Sequence, residues 1–145
     1  MEKRMKKRYV CGFMFDPRGE AVVLIEKTRP QWQRGLLNGL GGEIEGRETP
    51  LQAMVREFFE ETGVETTTTD WRVLATLEGP GYHVTFFHTH SDQYRQVSGR
   101  TDESVTIQFA KALPRNVVPD LNWLIPLALD ARVVKPLHVV DGGGS

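Results

Sequence analysis

The 145-residue sequence predicts an α/β fold of the α+β kind, a sandwich in which helices pack on a mixed β-sheet. Three observations lead there. Short runs rich in β-formers recur in both halves, one strongly amphipathic stretch lies between them, and an apolar helical stretch closes the chain. The length suits one domain, large enough to bury a core without help from disulfides or metals. A composition of 39% hydrophobic and 26% charged residues, with mean hydropathy −0.36, belongs to a soluble globular chain rather than a disordered one. No apolar run approaches the roughly 18 residues of a membrane span.

In chain order, Tyr9 to Phe15 and Ala21 to Ile25 are β-rich, and Asp16-Pro17-Arg18-Gly19 between them has the residue types of a turn, so a hairpin is expected. From Thr28 to Arg47 periodicity disappears among five glycines (Gly35, Gly39, Gly41, Gly42 and Gly46); this reads as a long loop with a brief strand at Leu36-Leu37. Loops of that length inside a compact domain usually carry function. Thr49-Pro50 supplies an N-cap and a first-turn proline, Leu51, Met54, Val55, Phe58 and Phe59 follow at helical spacing, and Gly63 suits the position just past the end, giving a helix over about 50–62. Strands follow at Trp71 to Leu77 and Tyr82 to Thr89 around Gly79-Pro80-Gly81, then at Val105 to Phe109. A second helix runs from near Asp120 to about Ala131. Neither a repeat nor a domain boundary is evident. The expected organisation is a basic tail over 1–8, one domain over 9–140 and a flexible tail over 141–145.

The formal net charge of −1 excludes a broad basic surface for nucleic acid, although it hides a local +4 in the first eight residues that leaves the rest at −5. Strong nucleic-acid binding is therefore not expected, and a weak contact by the basic segment is the alternative to a solvated tail. Cys11 is the single cysteine and lies among apolar neighbours, which suits a core residue in a reducing, cytoplasmic setting. His88 and His90 alternate on one strand with His83 nearby, but no further Cys or His at ligand spacing supports zinc.

Within the first helix Glu57, Glu60 and Glu61 stand at i, i+3 and i+4, so three carboxylates project from one face while the apolar residues lie largely opposite. Such a cluster repels itself unless cations neutralise it, and hard oxygen-preferring ions, Mg²⁺ or Mn²⁺, are the matching counterions. A solvated acidic face balanced by Arg56 is the alternative. The context decides between them. Gly42, Glu48 and Arg56-Glu57-Phe58-Phe59-Glu60-Glu61-Thr62-Gly63-Val64 fall at the spacings of the Nudix signature over 23 residues, with aromatic Phe58 where an aliphatic residue is usual. The chain thus resembles Nudix hydrolases, which cleave a diphosphate linked to another moiety, usually a nucleoside. The resemblance implies a Nudix-type α/β/α sandwich in which Glu57 and Glu61 hold the main Mg²⁺, with Glu60 and the Gly41 carbonyl completing the set. Arg56 pairs with Glu48 to pin the loop onto the helix. Glu60 is the expected general base, since Glu57 and Glu61 serve as ligands. A downstream acid often completes such sites, and Asp102 and Glu103 are placed for it.

Substrate identity lies outside the signature. Trp32 and the segment Asn38-Gly39-Leu40-Gly41-Gly42 resemble the base-binding loop of MutT-homologue enzymes acting on oxidised purine nucleoside triphosphates. Val118 to Pro126 is similar to the segment that there places an Asp against the purine, which implies Asp120 as a base reader. Val118 and Leu121 stand where those homologues carry a Trp and a second Asp. Pro80 and Tyr82 fall at the offsets found in ADP-ribose and dinucleoside polyphosphate hydrolases, respectively. The expected function is Mg²⁺-dependent hydrolysis of a small nucleotide, foremost a (modified) nucleoside triphosphate to the monophosphate and pyrophosphate. ADP-ribose, a dinucleoside polyphosphate or capped RNA is the alternative substrate. A catalytically silent nucleotide-binding module is the alternative from another class, and its expected mark, a lost glutamate, is missing.

Overall fold

The computed structural model describes residues 6–142. Eight strands form one mixed sheet: β1 (Lys7–Phe15), β2 (Ala21–Glu26), β3 (Leu37–Asn38), β4 (Leu40–Glu43), β5 (Arg72–Gly79), β6 (Tyr82–His90), β7 (Val105–Phe109) and β8 (Leu137–Val140). The path across it runs β3-β2-β1-β6-β5-β8, with β4 paired to β1 and β7 to β2. Helix α1 (Pro50–Thr62) covers one face and α2 (Leu121–Leu129) the other.

The central strand explains its own sequence. Parallel pairing with β6 and antiparallel pairing with β4 place β1 inside the sheet, and the cores under α1 and α2 cover its two faces, so it reads as a continuous apolar run. Val10 and Met14 enter the core under α1, while Cys11, Phe13 and Phe15 enter the core under α2. Gly12 sits against α1, where a Cβ would come within 2.6 Å of Met54 Sδ and 2.9 Å of the Trp71 ring.

Helix α1 begins with a complete capping box. The Gln52 N–H donates to Thr49 Oγ1 at 3.1 Å, and the Thr49 N–H donates to Gln52 Oε1 at 2.9 Å. It ends on Gly63 at φ +77°, whose N–H donates to the Phe59 carbonyl. Ala53, Met54 and Phe58 are buried, and Phe58 meets Trp71 edge-on at 5.2 Å. Truncating such an aromatic typically costs about 3–5 kcal/mol. This packing fixes which helix face turns outward, and hence where the glutamates point.

Several boundaries differ from expectation. Residues 1–5 and 143–145 lie outside the described set, but the basic run does not stand off the domain throughout. Lys7 and Arg8 open β1, and Lys6 pairs with Glu78 at 3.0 Å. At the other end Asp141 is tied to the sheet, its N–H donating to the Glu78 carbonyl at 2.7 Å. The glycine-rich loop contains β4, which the glycines concealed, and β8 pairs parallel with β5 despite Pro136 and Lys135 beside it. Helix α2 stops at Leu129 because Asp130 turns to extended backbone.

Candidate active site

Charge organises the end of the sheet where β4 meets α1. Arg56 grips Glu48 with two parallel bonds, Nε to Oε2 at 2.6 Å and Nη2 to Oε1 at 2.9 Å, a bidentate fork that ties the 44–49 loop to the helix. Its Nη1 donates to Glu57 Oε1 at 2.9 Å and more weakly to Glu60 Oε2 at 3.3 Å, and Nη2 also donates to the Glu43 carbonyl. One guanidinium thereby orients three acids and a strand end. The Glu48 carboxyl is held below the usual range by these bonds to Arg56.

Glu61 is buried at 6% exposure and accepts the Gly41 N–H at 2.8 Å. Burial, reinforced by the charge of Glu57, pushes its carboxyl up to about 8. Burial also raises Glu57, against the pull of Arg56. A Cβ at Gly42 would lie 2.7–2.9 Å from the Glu57 carboxylate, and one at Gly41 would collide with the Val10 carbonyl. The two glycines therefore let backbone and acids approach as no larger residue would. Among the described residues no three Asp, Glu, His or Cys groups converge into a ready cage; Arg56 bonds Glu57 and the Gly41 N–H bonds Glu61.

The two downstream acids part company. Glu103 is buried and receives the Thr28 N–H at 2.7 Å and Lys27 Nζ at 3.2 Å; burial alone would raise its carboxyl, but these donors hold it low. It lies near Glu61, since Arg100 N donates to the Glu61 carbonyl and Ser98 N to the Thr62 carbonyl, docking the 98–103 loop on the helix end. Asp102 instead points into solvent, clasped by Arg29 at 2.9 and 3.1 Å. Lys27, absent from the sequence-based candidates, is the cation that faces both Glu103 and Glu61.

Asn38 and Asp120, two of the residues expected to read a base, lie on the α2 face. Leu37 N donates to Asn116 O and Val118 N to Leu37 O, lacing β3 to the segment that precedes α2 and bringing Asn38 towards Asp120. Asn38 Oδ1 accepts the Gly39 N–H and the Cys11 thiol, and Nδ2 donates to Gln33 Oε1 at 3.0 Å. Cys11 pairs with Gly41 across β1 and β4, and burial pushes its thiol up to about 12, as suits a core residue. Asp120 stands at the N-cap position of α2 but caps nothing; its Oδ1 accepts the Trp123 indole N–H at 3.0 Å. Trp32 sits on a single 3-10 turn and is 64% exposed. Gln33, Cys11 and Trp123 gave no signal as site residues, because each acts through a partner distant in sequence or a helical turn away. His88 and His90 share the α2 side of β6 with Phe86, and His88 Nδ1 is buried without a partner.

A NUDIX domain model matches residues 5–129, most of the chain. The chain belongs to the Nudix family. It is a pyrophosphohydrolase of nucleoside diphosphate-linked substrates, with the family's mixed sheet between helices. Its fold is similar to a MutT structure described for Aliivibrio salmonicida and Vibrio cholerae (TM-score 0.67, 22% identity, 83% of this chain and 98% of that one). It is similar as well to a MutT Nudix hydrolase of Burkholderia pseudomallei (TM-score 0.71, 15% identity, 85% and 98%). An ADP-ribose pyrophosphatase of Streptococcus suis shares the fold too (TM-score 0.65, 15% identity, 94% and 100%). At these identities the likeness is one of fold. No curated protein matches the chain in sequence.

Proposed function

We propose that this Nudix domain hydrolyses nucleoside triphosphates to the monophosphate and pyrophosphate with Mg²⁺, or Mn²⁺ in its place. The observation that carries this reading is the adjacency of two groups on β1: Cys11 pairs with Gly41, whose N–H Glu61 accepts, and its thiol donates to Asn38, so a phosphate end and a base end share one strand. A hard divalent ion fits the phosphate end. Its donors, Glu57, Glu60, Glu61 and backbone carbonyls, are all oxygen, and the charge of Glu57 raises the affinity of Glu61 for positive charge. When bound, such an ion neutralises diphosphate charge and acidifies a water.

The chain's own residues supply the rest. Glu57 and Glu61 would hold the ion, with Gly41 at the strand and Glu103 behind. Arg56 keeps Glu57 in place through Nη1. Glu60, more exposed and bonded to Arg56 only at 3.3 Å, accepts the proton of the attacking water on its carboxylate. Asp102 stays outside this set, paired with Arg29. Asn38 and Asp120 bind the base edge, and Trp32 on its exposed turn covers the ring. Among the described residues no helix is long and apolar enough to cross a membrane; the reading of a reducing, cytoplasmic setting is carried by the free, buried Cys11.

Steady-state kinetics on a panel of canonical and oxidised triphosphates, ADP-ribose, a dinucleoside tetraphosphate and capped RNA tests the reading. Triphosphates should give the highest kcat/KM, with pyrophosphate as product and loss of turnover in EDTA. Preference for ADP-ribose or a dinucleoside polyphosphate would overturn the substrate. Nucleotide binding with no metal-dependent turnover would make the chain a silent binding module.

A further inference from the structure

The turn that carries Trp32 has no apolar anchor of its own. From Thr28 to Gly35 no residue is buried, and the single 3-10 turn Gln31–Gln33 stands on a stem of backbone bonds, in which the Lys27 N–H donates to Leu36 O and the Gly35 N–H to Lys27 O, both at 2.8 Å. A segment that buries so little opens easily unless other contacts hold it. Its position therefore depends on polar tethers, and most of these come from one place.

Two consecutive acids grip three consecutive residues at the foot of this turn. Asp102 receives Arg29 Nη2 on both carboxylate oxygens, at 2.9 and 3.1 Å, with Nη1 at 3.4 Å from Oδ1, while the same Nη1 donates to Thr28 Oγ1 at 3.0 Å. Glu103 accepts the Thr28 N–H at 2.7 Å, the Thr28 hydroxyl at 3.2 Å and Lys27 Nζ at 3.2 Å. The loop that presents both acids is itself fastened at two points: Ser98 and Arg100 donate their N–H groups to carbonyls at the end of α1, and the Glu26 N–H donates to Ser104 O at 2.8 Å. An exposed ion pair ordinarily adds little, but a guanidinium set across a carboxylate on a fastened loop has the geometry of the pairs that do contribute.

We infer that Arg29 and Asp102 are positioning residues, whose ion pair clamps the 28–35 turn onto the loop docked at the end of α1 and so sets Trp32 over the base. The inference rests on the role given to Trp32 in the proposed function and deepens it. Neither residue touches the substrate. Each acts through Trp32, so the pair governs how well a nucleotide is held and not how fast the bound nucleotide is cleaved. Glu103, next to Asp102 in the chain, holds Lys27 and Thr28 in the same clamp, which makes one loop the mechanical link between the phosphate end and the cover of the base end.

The test uses the full chain with Arg29→Ala, Asp102→Ala, the charge exchange Arg29→Asp with Asp102→Arg, and Trp32→Ala alone and combined with Asp102→Ala. Amide hydrogen exchange, read by mass spectrometry, is followed over residues 27–36 and over α1, and kcat and KM are measured for the best triphosphate of the panel. Arg29→Ala and Asp102→Ala should each speed exchange over 27–36 by about threefold or more while α1 is unchanged. Both should raise KM about two- to fivefold with kcat within about twofold of wild type. The charge exchange should restore exchange and KM together, and Asp102→Ala should add nothing to KM once Trp32 is Ala. Unchanged exchange over 27–36 in both single variants overturns the inference, as does a fall in kcat in place of the rise in KM, or a KM effect of Asp102→Ala that persists undiminished with Trp32→Ala. Faster exchange in the single variants with a kinetically silent Trp32→Ala would instead overturn the base-covering role of Trp32 in the proposed function and leave the clamp standing.

Discussion

The two faces of the sheet are built by different means. Under α1, one guanidinium and one backbone N–H fix the carboxylates, and Arg56, Glu48, Glu57, Glu60, Glu61, Gly41 and Gly42 all come from 21 consecutive residues. Under α2, Cys11, Gln33, Asn38, Tyr82, Asp120, Trp123 and Asp141 span nearly the whole chain and are joined by separate side-chain hydrogen bonds rather than by one shared cation. Charge-assisted networks are strong and geometrically exacting, whereas single tethers permit adjustment to a ligand. The difference teaches where chemistry and where selectivity should reside: the first face tolerates little change, and the second is the one to retune.

Substitutions that respect this division should sharpen it. The largest effect is expected from Glu61→Gln, whose amide oxygen still accepts the Gly41 N–H but whose charge is gone. Turnover should fall on the order of 10²–10³-fold, while Tm holds or rises because a buried carboxyl no longer resists ionisation. Arg56→Lys replaces the fork with a point charge and should cost about 1–3 kcal/mol in urea unfolding together with a fall in kcat. Equal stability of Arg56→Lys and wild type would break the picture of a guanidinium-locked face.

Acid should then probe the α2 side of β6. Burial, with His90, Lys135 and Arg72 around it, lowers His88 to about 4 from 6.5. Between those values the unfolded chain binds a proton that the folded chain refuses, so stability declines as pH falls from about 6.5 towards 4 and loses nothing more from this group below it. His88→Gln should flatten that limb in chemical denaturation at stepped pH. The smallest effect belongs to Gln33→Leu, which frees Asn38 Nδ2. KM should rise about two- to fivefold with kcat unchanged, and a drop in kcat instead would show that the 3-10 turn reaches the phosphate end.

Local rules made α1 legible to the residue. Thr49 and Gln52 form the capping box, Gly63 closes the helix in left-handed backbone, and the spacing of Glu57, Glu60 and Glu61 follows from 3.6 residues per turn. The same rules hid β4, because glycines that serve close approach read as loop, and hid β8, because its partner β5 lies about 60 residues away. Asp102 and Glu103 looked equivalent in sequence, yet loop docking on the helix end buries one and exposes the other.

The sequence by itself determined the helix, its acidic face, the charge that face demands and the family to which the chain belongs, since all of these depend on residues within a few turns of one another. Only the tertiary structure decided which acids stand behind the helix, that Cys11 lies opposite Gly41 and bonds Asn38, and that Tyr82 meets Asp141 and Trp123 meets Asp120. Those contacts depend on strand order and register. A local pattern carries no record of which distant strand will lie beside it.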